Sequence, residues 1–263
     1  DLTDDQKKQL PTYTGDLLLT QHSSGSLSSQ AYMKRWNRKN EQLALAAEPV
    51  AMMADWLGAI KYPRQSLNDA WWLVLGSQMH DILPGTSIPK AYEYAWNDEV
   101  LALNKFASTL ESSAAAVINA MDTRGKGITL AVYNPLAISR TDMVEAEIIY
   151  PGDAPKAVIV TDADSNQIPV QILRASKESL SILFAAKVPS LGIACYDVQP
   201  VKDAVPYKTS LSASNNMLEN EYLKVIINAN GDISSIIDKK LGKELLSAPS
   251  RLEFQKEHPE HWP

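Results

Sequence analysis

Midway along the chain, apolar residues recur at alternating four- and three-residue steps. Trp96, Val100, Leu103, Ala107, Leu110, Ala114, Val117 and Met121 keep that rhythm. A stripe with this period belongs to a helix that buries one face. Past Asp122-Thr123-Arg124-Gly125-Lys126-Gly127 the period drops to two, beginning with Ile128, Leu130 and Val132. Alternation of that kind is the mark of a half-buried strand. The change of period therefore predicts a helical domain followed by an all-β domain.

Two further helices precede the switch. Trp36, Leu43, Ala47, Val50, Ala54 and Leu57 form one seam, closed by Gly58 and Pro63. A second starts with Leu67, Trp71 and Val74, with Ser66 and Asp69 spaced as a capping pair. Gln78 and Asp81 continue its steps, so this seam turns polar at its C-terminal end. Ser87 is the expected cap of the third helix, with Pro89 in its first turn. Three such helices with short connections predict an antiparallel three-helix bundle.

After the switch, Val144, Ala146 and Ile148 alternate with Glu145 and Glu147. Val158 and Val160, Val170 and Ile172, Leu180 and Ile182, then Ile193, Cys195 and Val198 mark further short strands. Asn134-Pro135, Asp162 to Asn166 and Pro189 to Gly192 are turn signals. This predicts a small β-sandwich. Pro200 to Pro206 reads as a linker. Two apolar runs then flank Asn228-Ala229-Asn230-Gly231, a hairpin signal. A hairpin alone is unstable, so it is expected to open a larger β-sandwich whose other strands lie outside this chain. The first residues lack an initiator Met and the features of a signal peptide. The tail stops without a helix or strand ending, so the chain is expected to be part of a longer protein.

The formal net charge is −6 and no Lys/Arg stripe forms, which argues against a nucleic-acid partner. No run is long and apolar enough for a membrane span. The single Cys195 excludes an internal disulfide and a cysteine zinc cluster. No glycine-rich phosphate loop and no hydrolase triad spacing are present.

The residues best suited to chemistry are His80 and Asp81, placed where the second helix should end and followed by Pro84-Gly85-Thr86-Ser87. An imidazole and a carboxylate suit zinc ligation and hydrogen bonding to a hydroxyl-rich ligand. Neighbours on a regular helix point about 100° apart, so one is expected to ligate and the other to contact substrate. The plainer alternative is a helix-end hydrogen bond and a solvated carboxylate. His22, in the polar stretch Thr20 to Ser26, is either a ligand-facing donor or part of an ordinary capping loop. His258 and His261 sit with Glu257 and Glu260 in a tail expected to be a disordered or truncated end, the alternative being adventitious metal binding. Trp71 and Trp72 are candidates for a sugar platform, with Trp71 placed by its seam position in the core.

Several of these stretches resemble, in order, the glycoside hydrolase family 38 α-mannosidases. Gln78 to Ser87 is similar to that family's segment ending in His-Asp-x-x-x-Gly-Thr. Gly15 to Leu19, Gly25 to Gln30 and Lys34-Arg35-Trp36-Asn37-Arg38 resemble the lead into its helix bundle. Tyr133-Asn134-Pro135-Leu136 with Ser139-Arg140 resembles the start of its first β domain. Leu218 to Tyr222 and Gly231 to Lys239 resemble the start of its large sandwich.

The resemblance implies four parts. Residues 1–27 would be the tail of a catalytic domain and a leading loop, and 28–124 the three-helix bundle. Residues 125–202 would be the small β-sandwich, and 203–263 a linker and the truncated start of the large sandwich. It implies a zinc-dependent retaining α-mannosidase acting on α-mannosidic bonds of glycans or oligosaccharides. His80 would be a zinc ligand and Asp81 a substrate contact, with the other ligands and the nucleophile upstream, so the isolated chain would be inactive. One departure stands out. The region where the family carries its acid/base Asp holds Thr20, Gln21 and His22, with Asp16 the nearest carboxylate. His22 is a candidate to stand in as catalytic or substrate-binding group. Met79 also replaces a His common in the family motif. The alternative function is a non-catalytic carbohydrate-binding or scaffold module.

Overall fold

A computed structural model describes residues 2–12, 14, 24–207 and 209–254. The chain falls into two compact units, residues 1–154 with 160–200 and residues 155–159 with 201–262.

In the first unit, α1 (Asp4–Gln9) is a short helix closed by a capping box, with Thr3 and Gln6 exchanging side-chain and backbone hydrogen bonds. The bundle is built from α2 (Ala31–Trp56), α3 (Arg64–Ser77) and α4 (Pro89–Asn119). Helices α2 and α4 run the same way: Met33 meets Tyr92 and Ala95 near one end, and Val50 and Ala54 meet Val117 near the other. Helix α3 runs against both. Its Leu67, Ala70 and Val74 pack with Ala44, Ala102 and Phe106. The indole of Trp71 meets Phe106 edge-on at 5.5 Å and donates to Glu48 Oε1 at 2.6 Å. Trp71 is thus tied into the core, whereas Trp72 is 75% exposed.

Three expectations are corrected. Helix α3 starts at Arg64 behind Pro63, so Ser66 lies inside it and caps nothing. Helix α4 is preceded by Ile88 without a side-chain cap. Just ahead of it, the Ser87 N–H donates to the Tyr92 hydroxyl at 2.7 Å instead of Ser87 capping the helix. The buried ridge of α4 is also turned by one residue from the apolar stripe. It consists of Tyr92, Ala95, Glu99, Ala102, Phe106, Thr109, Ser113 and Val117. Ala95, Ala102, Thr109 and Ser113 keep much of that ridge small, with Tyr92 and Phe106 its large members. Trp96 is 43% exposed.

Strand β1 (Ile128–Asn134) follows the bundle. Then come β2 (Arg140–Ile149), β3 (Ala157–Thr161), β4 (Gln167–Ile168), β5 (Val170–Ala175), β6 (Ser179–Val188) and β7 (Gly192–Val201). They form two sheets, ordered β1-β7-β3-β4 and β2-β6-β5. The β1–β7 and β2–β6 pairs are antiparallel. Val160, Leu180, Ile182, Phe184, Tyr196 and Val198 are buried, and Phe184 of one sheet meets Tyr196 of the other at 5.1 Å. Tyr133 and Ile193 pack on the Val50–Ala54–Val117 cluster, and the Tyr133 hydroxyl donates to the Ala46 carbonyl at 3.2 Å. The sandwich is thereby seated on one end of the bundle.

In the second unit the expected hairpin is present, β10 (Leu223–Ile227) with β11 (Ile233–Asp238), and Gly231 supplies the positive φ of its turn at +85°. It lies at the centre of a larger sheet than the sequence suggested. With β8 (Ser212–Ser214), β9 (Met217–Glu219) and β12 (Lys243–Glu244) the order is β12-β11-β10-β9-β8. The added strands are two or three residues long, too short to leave a periodic signal. Among the described residues no helix is long and apolar enough to cross a membrane.

Candidate functional site

The corner after α3 carries the His80–Asp81 pair. Helix α3 ends at Ser77 with Gln78 as its C-cap. Residues 79–87 then run through turns, so the pair lies beyond the helix and not on it. The expected separation of the two side chains by helical geometry does not hold. His80 Nε2 faces Asp81 Oδ2 at 3.3 Å. The imidazole is 84% exposed and the carboxylate 46%. The contact is an ion-pair approach rather than a hydrogen bond, and the imidazole makes no hydrogen bond among the described residues.

The loop that carries them is tied down. Thr86 N donates to the Asp81 carbonyl at 3.1 Å, and Thr86 Oγ1 reaches Asp81 Oδ1 at 3.3 Å. The Tyr92 hydroxyl donates to the same Asp81 carbonyl at 3.2 Å. Gln78 Nε2 donates to Asn37 Oδ1 at 2.8 Å and Glu41 Oε1 at 3.2 Å. Lys34 Nζ donates to the carbonyls of Ser29 and Leu83 at 2.6 and 2.8 Å. Burial around it lowers the Lys34 pKa below the usual lysine value. Ser29 Oγ donates to the Gly85 carbonyl at 3.0 Å. Ile82 packs on Met33, Tyr92 and Ala95.

The polar end of the α3 seam was legible in Gln78. Lys34, Ser29 and Tyr92 were not, because a side chain that grips a backbone carbonyl leaves no spacing signal. His22, His258 and His261 lie outside the described residues. Among the described residues no group of three His, Cys, Asp or Glu side chains converges. An exposed imidazole suits the part of one zinc ligand, but zinc sites take about three protein ligands. His80 and Asp81 therefore do not enclose a zinc ion by themselves.

The family model described as alpha mannosidase middle domain matches residues 21–117, the stretch that contains the bundle and this corner. Over that stretch the chain is similar to the middle domain of α-mannosidases. It is 32% identical over 137 residues to mouse alpha-mannosidase 2C1, covering 52% of this chain and 13% of that protein. To an alpha-mannosidase of Saccharomyces cerevisiae it is 36% identical over 91 residues, 34% of this chain and 8% of the relative. To the human epididymis-specific alpha-mannosidase it is 26% identical over 199 residues, 69% and 19% respectively. The chain thus spans only 8 to 19% of the length of these relatives. Two Enterococcus faecalis structures share the fold. One is an alpha-mannosidase with a TM-score of 0.69 at 21% identity, covering 91% of this chain and 32% of its own. The other is a glycosyl hydrolase family 38 protein with a TM-score of 0.71 at 20% identity, covering 90% and 32%.

Proposed function

We propose that this chain is the bundle and β portion of a zinc-dependent retaining α-mannosidase, and that His80 and Asp81 form one wall of its active centre. His80 supplies one zinc ligand. Asp81 orients that imidazole and presents its remaining acceptor sites to sugar hydroxyls. The observation that supports this reading is an exposed His–Asp pair on a firmly tied loop, inside the stretch that matches the α-mannosidase middle domain.

Residues 28–124 act as that middle domain, 125–202 as the small sandwich and 203–263 as the linker and start of the large one. Residues 1–27 lead in from a catalytic domain, and His22 is their candidate substrate-binding group. In a retaining hydrolase one carboxylate attacks the anomeric carbon and a second group protonates the leaving oxygen. No carboxylate of this chain takes the nucleophile's part. The contribution of this chain is to bind and orient: His80 toward the metal, Asp81 toward hydroxyls. When bound, zinc supplies a positive template for those hydroxyls. The substrate class is an α-mannoside glycan or oligosaccharide.

The test has two parts. The purified 263-residue chain should retain no stoichiometric zinc after dialysis and release no nitrophenol from nitrophenyl α-mannoside. In the longer enzyme, His80→Ala should strip zinc and turnover together. Unchanged zinc content and turnover in that variant would remove His80 from the site. Saturable sugar binding by the chain alone, with no activity in the longer protein, would favour a binding module.

A further inference from the structure

Residues 78–88 connect α3 to α4 without helix or strand, and His80 and Asp81 sit early in that connection. A segment of this length is free to move unless something ties it. The ties come largely from one face of α2. Lys34, Asn37 and Glu41 are spaced three and four residues apart, so they lie on the same side of that helix. Asn37 and Glu41 accept the Gln78 amide, two residues before His80. Lys34 holds the carbonyl of Leu83, two residues after Asp81, and with it the carbonyl of Ser29. The pair is bracketed between two grips from a single rigid element.

Lys34 is the distinctive member. A helix-surface lysine ordinarily stays solvated or meets a carboxylate. Among the described residues Lys34 forms no ion pair and directs its ammonium at two backbone carbonyls. Hydrogen bonds from an ionised donor are the stronger kind. Its carbonyl on the Ser29 side belongs to the residue whose hydroxyl holds Gly85, so both ends of the Leu83–Gly85 turn are locked to the start of α2.

We infer that Lys34 is a positioning residue for His80 and Asp81, fixing the loop that presents them, with Asn37 and Glu41 as the second grip. This rests on the reading of His80–Asp81 as part of an active centre. Outer partners that orient a metal ligand are commonly worth about 10–100-fold in metal affinity or activity, and the same range is expected here.

The test compares Lys34→Met, Lys34→Arg, Ser29→Ala and His80→Ala in the longer enzyme. Three quantities are read: amide hydrogen exchange of the 79–88 peptide, zinc retention against a chelator, and kcat/KM on nitrophenyl α-mannoside. Lys34→Met should speed exchange in that peptide while leaving the α4 core peptides unchanged. It should lower zinc retention and kcat/KM by about tenfold or more, and Lys34→Arg should recover most of both. Ser29→Ala, a milder change, should shift all three in the same direction and serves if Lys34→Met does not fold. Unchanged exchange at 79–88 would overturn the clamp. Faster exchange with wild-type zinc retention and turnover, while His80→Ala loses both, would overturn positioning and leave the site standing. Wild-type behaviour of His80→Ala would remove the site, and the role of Lys34 with it.

Discussion

The side-chain amide of Asn40 donates twice to Glu99, at 2.6 Å to Oε2 and at 3.0 Å to the main-chain carbonyl, and so staples α2 to α4. Asn40 is fully buried and Glu99 is 1% exposed. Two acceptors of the pair, Glu99 Oε1 and Asn40 Oδ1, have no partner. Burial raises the Glu99 pKa above its usual 4.5, the Asn40 hydrogen bond opposes this, and the negative charges of Asp98 and Glu41 add to it. A proton on Glu99 would turn one of two stranded acceptors into a donor.

The pH dependence follows from the sign of that shift. The folded state holds the Glu99 proton more tightly than the unfolded chain. Its stabilising contribution is complete below the unfolded value near 4.5 and is lost as pH rises through the higher folded value. Glu99→Gln keeps the shape and brings its own donor toward Asn40 Oδ1. It should remove this pH dependence and stabilise the bundle at neutral pH by about 1 kcal/mol. Urea unfolding followed by helical circular dichroism across the acid-to-neutral range measures both. A variant that is less stable at neutral pH would show that the charged form is the one the bundle prefers.

Gly85 has φ +87°, and a Cβ there would lie 2.6 Å from Ser29 Oγ and 2.7 Å from the Ser29 carbonyl oxygen. Gly58 has φ +70° with nothing within 4 Å of the same position. Gly58→Ala should cost about 1 kcal/mol, the ordinary penalty of left-handed backbone in a residue with a side chain. Gly85→Ala pays the same backbone penalty and must also push Ser29 away, so about 2–3 kcal/mol is expected in total. Chemical denaturation of both variants isolates the steric part, and equal costs would mean the loop yields freely.

What the sequence revealed and what it hid follow from where the information resides. The switch at residues 122–127, the strands at Ile128, Val144 and Leu180, and the Asn228–Gly231 turn were legible because each rests on local period or turn chemistry. The face of α4 was misjudged by one residue because apolarity was taken as burial. The buried ridge carries Glu99, Thr109 and Ser113, and a charged residue satisfied from another helix looks like a surface residue in sequence. The His80–Asp81 pair was visible as a candidate site. The Lys34 support was not, since Lys34 and Leu83 are 49 residues apart and the lysine ammonium grips a main-chain carbonyl, which any residue could supply.

Tyr196 joins the two sheets of the small sandwich. It is 2% exposed, its ring meets Phe184 edge-on at 5.1 Å, and its hydroxyl sits on the edge of β6. That hydroxyl accepts from Lys187 N at 2.7 Å and donates to the Lys187 carbonyl at 2.8 Å. Beyond the last β5 partner, Val170 opposite Phe184, this edge of β6 has no strand beside it among the described residues, and the phenol takes the strand's place. Tyr196→Phe should cost about 1–3 kcal/mol, because two backbone groups lose their partner while the ring contact stays. Tyr196→Leu should cost more by about 1 kcal/mol, the value of the aromatic pair. Equal stability of the wild type and Tyr196→Phe, measured by urea unfolding, would show that water replaces the phenol.

Asn134 offers the sharpest electrostatic test. It is 1% exposed at the end of β1. Its Nδ2 donates to the carbonyls of Ile138 and Pro189 at 2.8 and 2.9 Å, and its Oδ1 accepts from Leu136 N at 3.1 Å. The amide is read in both directions, as donor to two carbonyls and acceptor from one N–H. Asn134→Ala removes all three bonds and should cost about 2–3 kcal/mol. Asn134→Asp keeps the acceptor and the shape but sets a carboxylate oxygen against two carbonyl oxygens. At neutral pH its cost should exceed that of the alanine, at about 3 kcal/mol or more, since a buried charge is left facing acceptors. Protonation restores one donor, so the folded state of this variant binds its proton more tightly than the unfolded chain. Its deficit should therefore shrink as pH falls toward the ordinary carboxyl range, whereas that of Asn134→Ala should stay constant. Parallel deficits for the two variants across pH would mean that solvent reaches the turn and the amide's donors are dispensable.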